Sequence, residues 1–343
     1  MSSISNNTNL SQRTFVLASR ASKLAQIQTN IVRDGLEGAF PSLSFGTSFM
    51  TTEGDKNQSQ ALYLLGGKAL WTKELEVALK ENVVDMLVHS LKDVPTTLPD
   101  GCEIGAILER EDPVDSLVVK QGLPYKTLEE LPEGSAVGTS SVRRVAQLRK
   151  SFPNLVFLDV RGNLNTRLAK LDDPNGPYTA LILAKSGLVR LGMGDRVTAD
   201  LTPPTLFHAV SQGALAVEIR ADDQEARELC KSLTHQETQW MCLAERALLR
   251  ELEGGCSVPV GVSTSLSQID KSGGQLTSAT LTITGCVTSI DGSVHIQDTL
   301  TQDVQNIQGA EELGKNLAMT LMSNGAKAIL DDITQDRRKR ASE

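Results

Sequence analysis

Five short apolar runs set the rhythm of the first two thirds of the chain. Thr14–Ala18 leads through Ser19-Arg20-Ala21-Ser22 to a pattern with Leu24, Ile27, Ile31 and Val32 on one helical face. Asp85–His89 runs into Ser90-Leu91-Lys92-Asp93-Val94-Pro95. Ser135–Thr139 is followed by Ser140-Ser141, where a helix N-cap belongs, and then by a helix from Val142 to Lys150. Leu155–Val160 leads into Arg161-Gly162-Asn163 and a helix through Arg167. Thr179–Ala184 leads into Lys185-Ser186-Gly187 and a helix holding Arg190. Continuous apolar strands alternating with amphipathic helices predict α/β layers with mostly parallel sheets. The basic and hydroxyl residues fall just after a strand or in the first helical turns, the crevice where open α/β sheets bind ligands. Helix N-termini there favour carboxylates or phosphates. Several such units converging on one cleft describe a polyanion receptor built from two lobes.

The last third changes period. Gln236–Leu252 is helical, with Trp240, Leu243, Ala244, Ala247 and Leu248 on its apolar face and Gly254-Gly255 placed as its C-cap. From Val258 to Asp298 apolar residues alternate with Thr and Ser, with turns at Ser272-Gly273-Gly274 and Asp291-Gly292, so strands and hairpins are predicted. One final helix over roughly 309–333 closes a small α+β domain.

Charge sharpens this picture. The chain carries −8 in total, yet Gly138–Arg196 carries +6 and the remainder −14, which points to a local anion site. A generic nucleic-acid coat is disfavoured by the acidic total and by only 12 aromatic residues for base stacking. Arg149, Lys150 and Lys170 read as solvated helix faces, and Arg337–Arg340 as a frayed tail. No apolar run reaches a membrane span, and the Ser/Asn-rich start lacks the core of a secretory signal. Five cysteines, an odd number without a C-x-x-C pair, suit reduced thiols in the cytoplasm better than a disulfide framework or structural zinc.

Common catalytic signatures fail. Gly66-Gly67-Lys68 lacks the spacing of a phosphate loop, and Gly192-Met193-Gly194 lacks a third glycine. His89, His208, His235 and His295 show no ligand spacing, so no metal is expected, and His89 within its strand reads as a packed core histidine. Cys256, in Glu253-Gly254-Gly255-Cys256-Ser257-Val258-Pro259, sits in a loop of outward-holding composition, where a covalent role and an inert thiol both fit. Lys92-Asp93 is either a surface ion pair worth little or, in a cleft, a working acid or charge stabiliser beside an anion clamp.

Seven blocks carry a resemblance. They are Ala18-Ser19-Arg20-Ala21-Ser22, His89-Ser90-Leu91-Lys92-Asp93-Val94-Pro95-Thr96, Gly138-Thr139-Ser140-Ser141-Val142-Arg143-Arg144, Arg161-Gly162-Asn163 with Thr166-Arg167-Leu168, Gly187-Leu188 with Arg190-Leu191-Gly192, Ser211-Gln212-Gly213-Ala214, and Gly254-Gly255-Cys256. In order and without a missing block, from about Leu17 to Gly261, they resemble the motifs of the porphobilinogen deaminase (hydroxymethylbilane synthase) family.

That resemblance implies two type II periplasmic-binding-protein-like lobes with mixed, mostly parallel sheets, over 1–110 with 211–234 and over 111–210, plus an α+β domain over 235–343. It implies a cytoplasmic, monomeric transferase whose partners are porphobilinogen and the growing oligopyrrole, not nucleic acid or membrane. Four porphobilinogens would be joined head to tail on a dipyrromethane cofactor, with loss of ammonia and then hydrolytic release of linear hydroxymethylbilane. By motif match, Cys256 attaches the cofactor through a thioether. Asp93 would hold the pyrrole N–H groups and stabilise the electron-deficient azafulvene formed as ammonia leaves. Arg20, Ser22, Lys92, Ser140, Ser141, Arg143, Arg144, Arg161, Arg167 and Arg190 would bind acetate and propionate groups, a task suited to bidentate arginines. Trp71, Gln28 and Gln212 would be lid or product contacts.

Trp71 stands where the family commonly has Phe before Thr72-Lys73-Glu74-Leu75, and Thr52–Gly67 reads as a loop over the cleft. Two other classes compete. A non-catalytic anion receptor would use the same lobes, and a cysteine acyltransferase would need a partnering base that no histidine motif supplies.

Overall fold

In the computed structural model, which describes residues 13–53, 71–252 and 258–341, the first apolar run is strand β1 (Thr14–Arg20). Ser22 caps α1 (Lys23–Ala39), its hydroxyl accepting from the Ala25 N–H at 3.3 Å. The buried stripe of α1 is Ala25, Gln28, Thr29, Val32 and Leu36, rotated from the expected face, and Ile31 is 42% exposed. Polar contacts cause the rotation: Thr29 Oγ1 donates to Ser19 Oγ at 2.7 Å, and Gln28 Nε2 donates to Ser90 Oγ at 2.9 Å.

Next come β2 (Ser44–Met50), α2 (Lys73–Lys80), β3 (Met86–Ser90), a 3-10 turn at Leu91–Asp93, β4 (Cys102–Ile107) and β5 (Asp115–Val119). The chain continues through β6 (Ala136–Gly138), α3 (Val142–Ser151), β7 (Val156–Leu158), α4 (Leu164–Asp172), β8 (Ala180–Ala184), α5 (Lys185–Arg190) and β9 (Ala199–Leu201). It returns as β10 (Leu215–Arg220) and α6 (Gln224–Lys231). The last region holds α7 (Gln236–Leu252), β11 (Val260–Ser272), β12 (Gln275–Thr288), β13 (His295–Val304), α8 (Ile307–Leu321) and α9 (Lys327–Ala341).

The strands form two sheets of order β2-β1-β3-β10-β4 and β7-β6-β8-β5-β9, and a third of order β11-β12-β13. In each large sheet four strands share one direction. The reversed strand, β10 or β5, is the one laid down as the chain crosses from the other lobe. The expected mixed, mostly parallel lobes and the α+β end are therefore observed. Each region has its own apolar core: Phe15, Leu17, Met86 and Val217 in the first lobe, Leu117, Val137, Leu148 and Ile182 in the second, and Leu248, Leu281, Ile283 and Leu317 in the third.

The two crossing segments touch. Leu108 N–H donates to Leu215 O at 3.1 Å and Glu111 N–H to Gly213 O at 3.3 Å. Gly213 has φ +92°, and a Cβ there would lie 2.2 Å from the Glu111 carbonyl oxygen, so only glycine fits. The third domain is fastened to this crossing by an ion pair. Arg110, in the first crossing segment, meets fully buried Glu245 of α7 at 2.7 Å, and Glu245 also accepts from the Ser211 N–H at 2.6 Å.

Three expectations need correction. The single closing helix is two, broken around Gly325, whose φ of +111° no α-helix accommodates. The chain over Arg337–Arg340, expected to fray, continues as helix through Ala341. Arg149, expected in solvent, donates from Nη1 to Ile290 O of the third domain at 3.1 Å. His89 is buried as expected, with Nε2 3.1 Å from Glu218 Oε2. Among the described residues no helix is long and apolar enough to cross a membrane.

Candidate active site

The carboxyl ends of β1, β3, β6 and β8 and the N-termini of α1, α3 and α4 open onto one cleft of about 670 Å³ between the lobes. Asp93 and Lys92 reach it from the turn after β3. That turn is anchored by fully buried Leu91 and Val94, and by the Leu91 N–H, which donates to Ala214 O at 3.0 Å. Both side chains are half-buried on the cleft wall. Every described residue expected in the site lines this cleft: Arg20, Ser22, Gln28, Trp71, Lys92, Asp93, Ser140, Ser141, Arg143, Arg144, Arg161, Arg167, Arg190 and Gln212. Their local partners separate them into supports and free donors.

The foundation is Asp115, which the sequence did not single out. It opens β5 fully buried, 2.7 Å from Arg143 Nη2 and 2.6 Å from Arg144 Nη2, and it accepts from Gln212 Nε2 at 2.9 Å. Burial alone would raise its pKa, but the two guanidinium groups win and hold the carboxyl well below the usual carboxylate range. Arg143 uses its other end on Phe207 O at 2.6 Å, so it is a pillar beneath the cleft more than a ligand. Arg144 binds Ile182 O at 2.8 Å with Nη1. Gln212, expected as a lid or product contact, is fully buried; it donates to Pro113 O at 2.6 Å and accepts from Lys92 Nζ at 3.2 Å. Gln28 is likewise interior, holding Ser90 at the root of the turn that carries Asp93. Neither lies on a lid.

The hydroxyls are also engaged. Ser140 Oγ donates to Val160 O at 2.7 Å and accepts from the Val160 N–H at 3.2 Å, tying β6 to the exit of β7. Ser141 caps α3 by accepting from the Arg144 N–H at 3.4 Å, as Ser22 caps α1. Both leave helix N-termini facing the cleft, a setting for anions.

What stays free is guanidinium. Arg144 Nε, Arg161 Nη1 and Arg190 Nε are buried without a hydrogen-bond partner, although Arg190 Nη2 donates to Gly213 O at 2.6 Å. Buried donors are rarely left unmade, so three in one cleft describe a place for an acceptor-rich ligand. A polycarboxylate such as dipyrromethane fits that donor set. Arg167 is lowered to about 10 by burial first and then by repulsion from Arg144 and Arg161, against the opposing pull of Asp159 and Asp93. The Arg20 guanidinium lies 4.1 Å above the Trp71 ring, so the larger aromatic supports a cation at the cleft rim.

Lys92 is lowered to about 8, chiefly by desolvation and further by Arg144 and Arg143, while Asp93 and Asp115 oppose the shift. Below that pH it is an ammonium that adds to anion binding, and above it the cleft loses one charge. The affinity of the cleft for carboxylate ligands is therefore expected to decline as pH rises through about 8. Lys92→Arg, charged throughout, should flatten that decline; an identical decline in the variant would remove Lys92 from anion binding.

Cys256 and its neighbours Gly254-Gly255 lie outside the described residues, as does most of Thr52–Gly67, of which Thr52 and Glu53 are described. Leu249, Val258 and Val260, on either side of the cysteine segment, line the cleft. The other four cysteines are poor nucleophiles. Burial pushes Cys230, Cys242 and Cys286 up to about 12, and Cys102 to about 11.

A family model described as porphobilinogen deaminase, dipyromethane cofactor binding domain, matches residues 15–228, and one described as porphobilinogen deaminase, C-terminal domain, matches 240–323. The chain is 51% identical over 319 residues to a porphobilinogen deaminase of Yarrowia lipolytica, covering 92% of this chain and 91% of that one. Similarity to the porphobilinogen deaminase of Nostoc sp. is 49% identity over 94% of this chain and 95% of the relative. For the protein of the same name from Debaryomyces hansenii it is 45% over 98% and 92%.

Proposed function

We propose, from the premise that this chain belongs to the porphobilinogen deaminase family, that Asp93 is its catalytic carboxylate and Cys256 its point of cofactor attachment. The protein is a transferase of tetrapyrrole biosynthesis that condenses four porphobilinogen molecules head to tail, releases ammonia, and then releases linear hydroxymethylbilane. When bound, dipyrromethane supplies a tethered pyrrole whose free α-carbon is the nucleophilic end of the growing chain.

The observation that carries the residue assignment is that Asp93 is the one carboxylate among the described residues lining a cleft rich in arginines, three of which, Arg144, Arg161 and Arg190, keep a buried nitrogen without a hydrogen-bond partner. Arg161 and Arg167, with the remaining free N–H groups of Arg144 and Arg190, bind acetate and propionate groups through charge-assisted hydrogen bonds. Lys92 and the capped N-termini of α1 and α3 add to that attraction. Held there, a porphobilinogen aminomethyl group lies in reach of Asp93. As its C–N bond breaks and ammonia leaves, positive charge spreads over the pyrrole, and the Asp93 carboxylate stabilises it. After the new C–C bond forms, one ring proton is surplus, and Asp93 is placed to accept it. Cys256 would hold the cofactor through a thioether and so keep all additions on one chain. The reading includes a cytoplasmic monomer, in keeping with the four free thiols among the described cysteines.

Native mass spectrometry with a peptide map tests this. One chain of 36.9 kDa carrying two deaminated porphobilinogen units on the Cys256 peptide is expected, and no adduct on Cys256→Ser. An unmodified Cys256 that gains no adduct on incubation with porphobilinogen would overturn the attachment.

A further inference from the structure

The turn that carries Asp93 is gripped from outside its own lobe. Val94 and Pro95, the two residues after Asp93, present their carbonyls to one guanidinium: Arg246 Nη1 donates to Val94 O at 3.2 Å and Nη2 to Pro95 O at 2.5 Å. Arg246 lies on α7 in the third domain and is 3% exposed. One helical turn on, Arg250 Nε donates to Thr96 O at 3.3 Å. The chain leaves α7 at Leu252 and reaches Cys256 four residues later. One helix thus holds the Asp93 turn at its side and ends four residues before Cys256 in the sequence.

We propose that Arg246 is a positioning residue for the reaction: through the Val94 and Pro95 carbonyls it sets where the Asp93 carboxylate stands in the cleft. This rests on Asp93 being the catalytic carboxylate. Upstream, the turn is fixed by the Leu91 N–H on Ala214 O; downstream, the Arg246 fork is its counterpart, so Asp93 sits between two clamps. The planar guanidinium spans two adjacent carbonyls at once, whereas an ammonium of similar charge satisfies one well. Loosening the downstream clamp lets the carboxylate swing, and a misplacement of about 1 Å costs on the order of 100-fold in rate. The arginines that bind substrate carboxylates lie on other elements, so affinity is unaffected.

The test is a double-mutant cycle in the holoenzyme. Arg246→Lys is expected to lower kcat by roughly 10- to 100-fold with KM for porphobilinogen within about twofold. In an Asp93→Glu background, where the carboxylate is already displaced, Arg246→Lys should add less than about twofold. Effects that simply multiply would overturn the proposal, because Arg246 would then act independently of Asp93. A KM that rises along with a falling kcat would overturn it too. Near-normal turnover by Asp93→Glu and Asp93→Asn alike would instead overturn the assignment of Asp93. Should Arg246→Lys fail to fold, Arg250→Lys loosens the same turn one carbonyl further on and is read by the same cycle.

Discussion

Asp93→Asn is expected to lower kcat by on the order of 1,000-fold, about 4 kcal/mol of transition-state stabilisation, with KM for porphobilinogen changed by less than about threefold. The substitution keeps size and shape, and the turn remains held by Leu91, Val94 and the Arg246 fork, so the cleft should not rearrange. What disappears is the negative charge. Lys92, Arg144, Arg161, Arg167 and Arg190 all face the same space, and without Asp93 a cation developing there has no carboxylate of the described cleft lining to stabilise it. Steady-state rates of porphobilinogen consumption check this, and stalled short oligomers on the protein should be visible by intact mass. Turnover within a few-fold of the parent protein would remove Asp93 from the mechanism.

The second large effect falls on stability. Asp115→Ala is expected to cost about 3–5 kcal/mol, because it leaves Arg143 and Arg144 buried without their shared counter-charge. It also frees Gln212, and with it the support under Lys92. Loss of fold stability and loss of turnover should therefore appear together. Denaturant titration measures the first, and a midpoint close to that of the parent protein would sink the prediction. The pH dependence follows from the sign of the shift. The folded-state carboxyl titrates below its unfolded value, so the stability it contributes is complete above about pH 4 and drains away only in stronger acid. Near neutral pH this foundation is insensitive to pH, in contrast to Lys92 on top of it.

Apolar runs ending in hydroxyl and basic residues were enough to place β1, β3, β6, β7 and β8 and to aim their ends at one cleft. The two reversed strands escaped that reading because each carries a buried acid where a core strand is expected to be apolar. Asp115 opens β5, and Glu218, fully buried, sits in the middle of β10. Arg144, which pairs with Asp115, lies 29 residues away, and His89, whose Nε2 is 3.1 Å from Glu218 Oε2, lies on β3, so no local window contains either neighbour. The same limit applies inside the site. Arg143 and Arg144 are neighbours in one motif, yet Phe207 O from the crossing segment makes the first a pillar, while the second keeps an unpartnered Nε for a ligand. Ser140 reads as an anion contact until Val160 is seen to hold its hydroxyl from both sides. A readable hint did exist for Asp115. The helix starting at Val142 places two adjacent arginines on a buried face, and a buried pair of that kind requires a carboxylate.

The position of β10 has a consequence for how the chain is made. β4 joins the first sheet only through β10, and β10 is encoded after the entire second lobe. A chain emerging from the ribosome therefore exposes β1 to β4 long before their sheet can close, whereas β5 to β9 close from contiguous sequence. This topology predicts that folding order inverts synthesis order, the middle lobe settling first and the N-terminal lobe being completed afterwards at a high cost in contact separation. During that interval the edges of β3 and β4 lie open to mispairing with other nascent chains, which makes them the part of this protein most in need of chaperone cover.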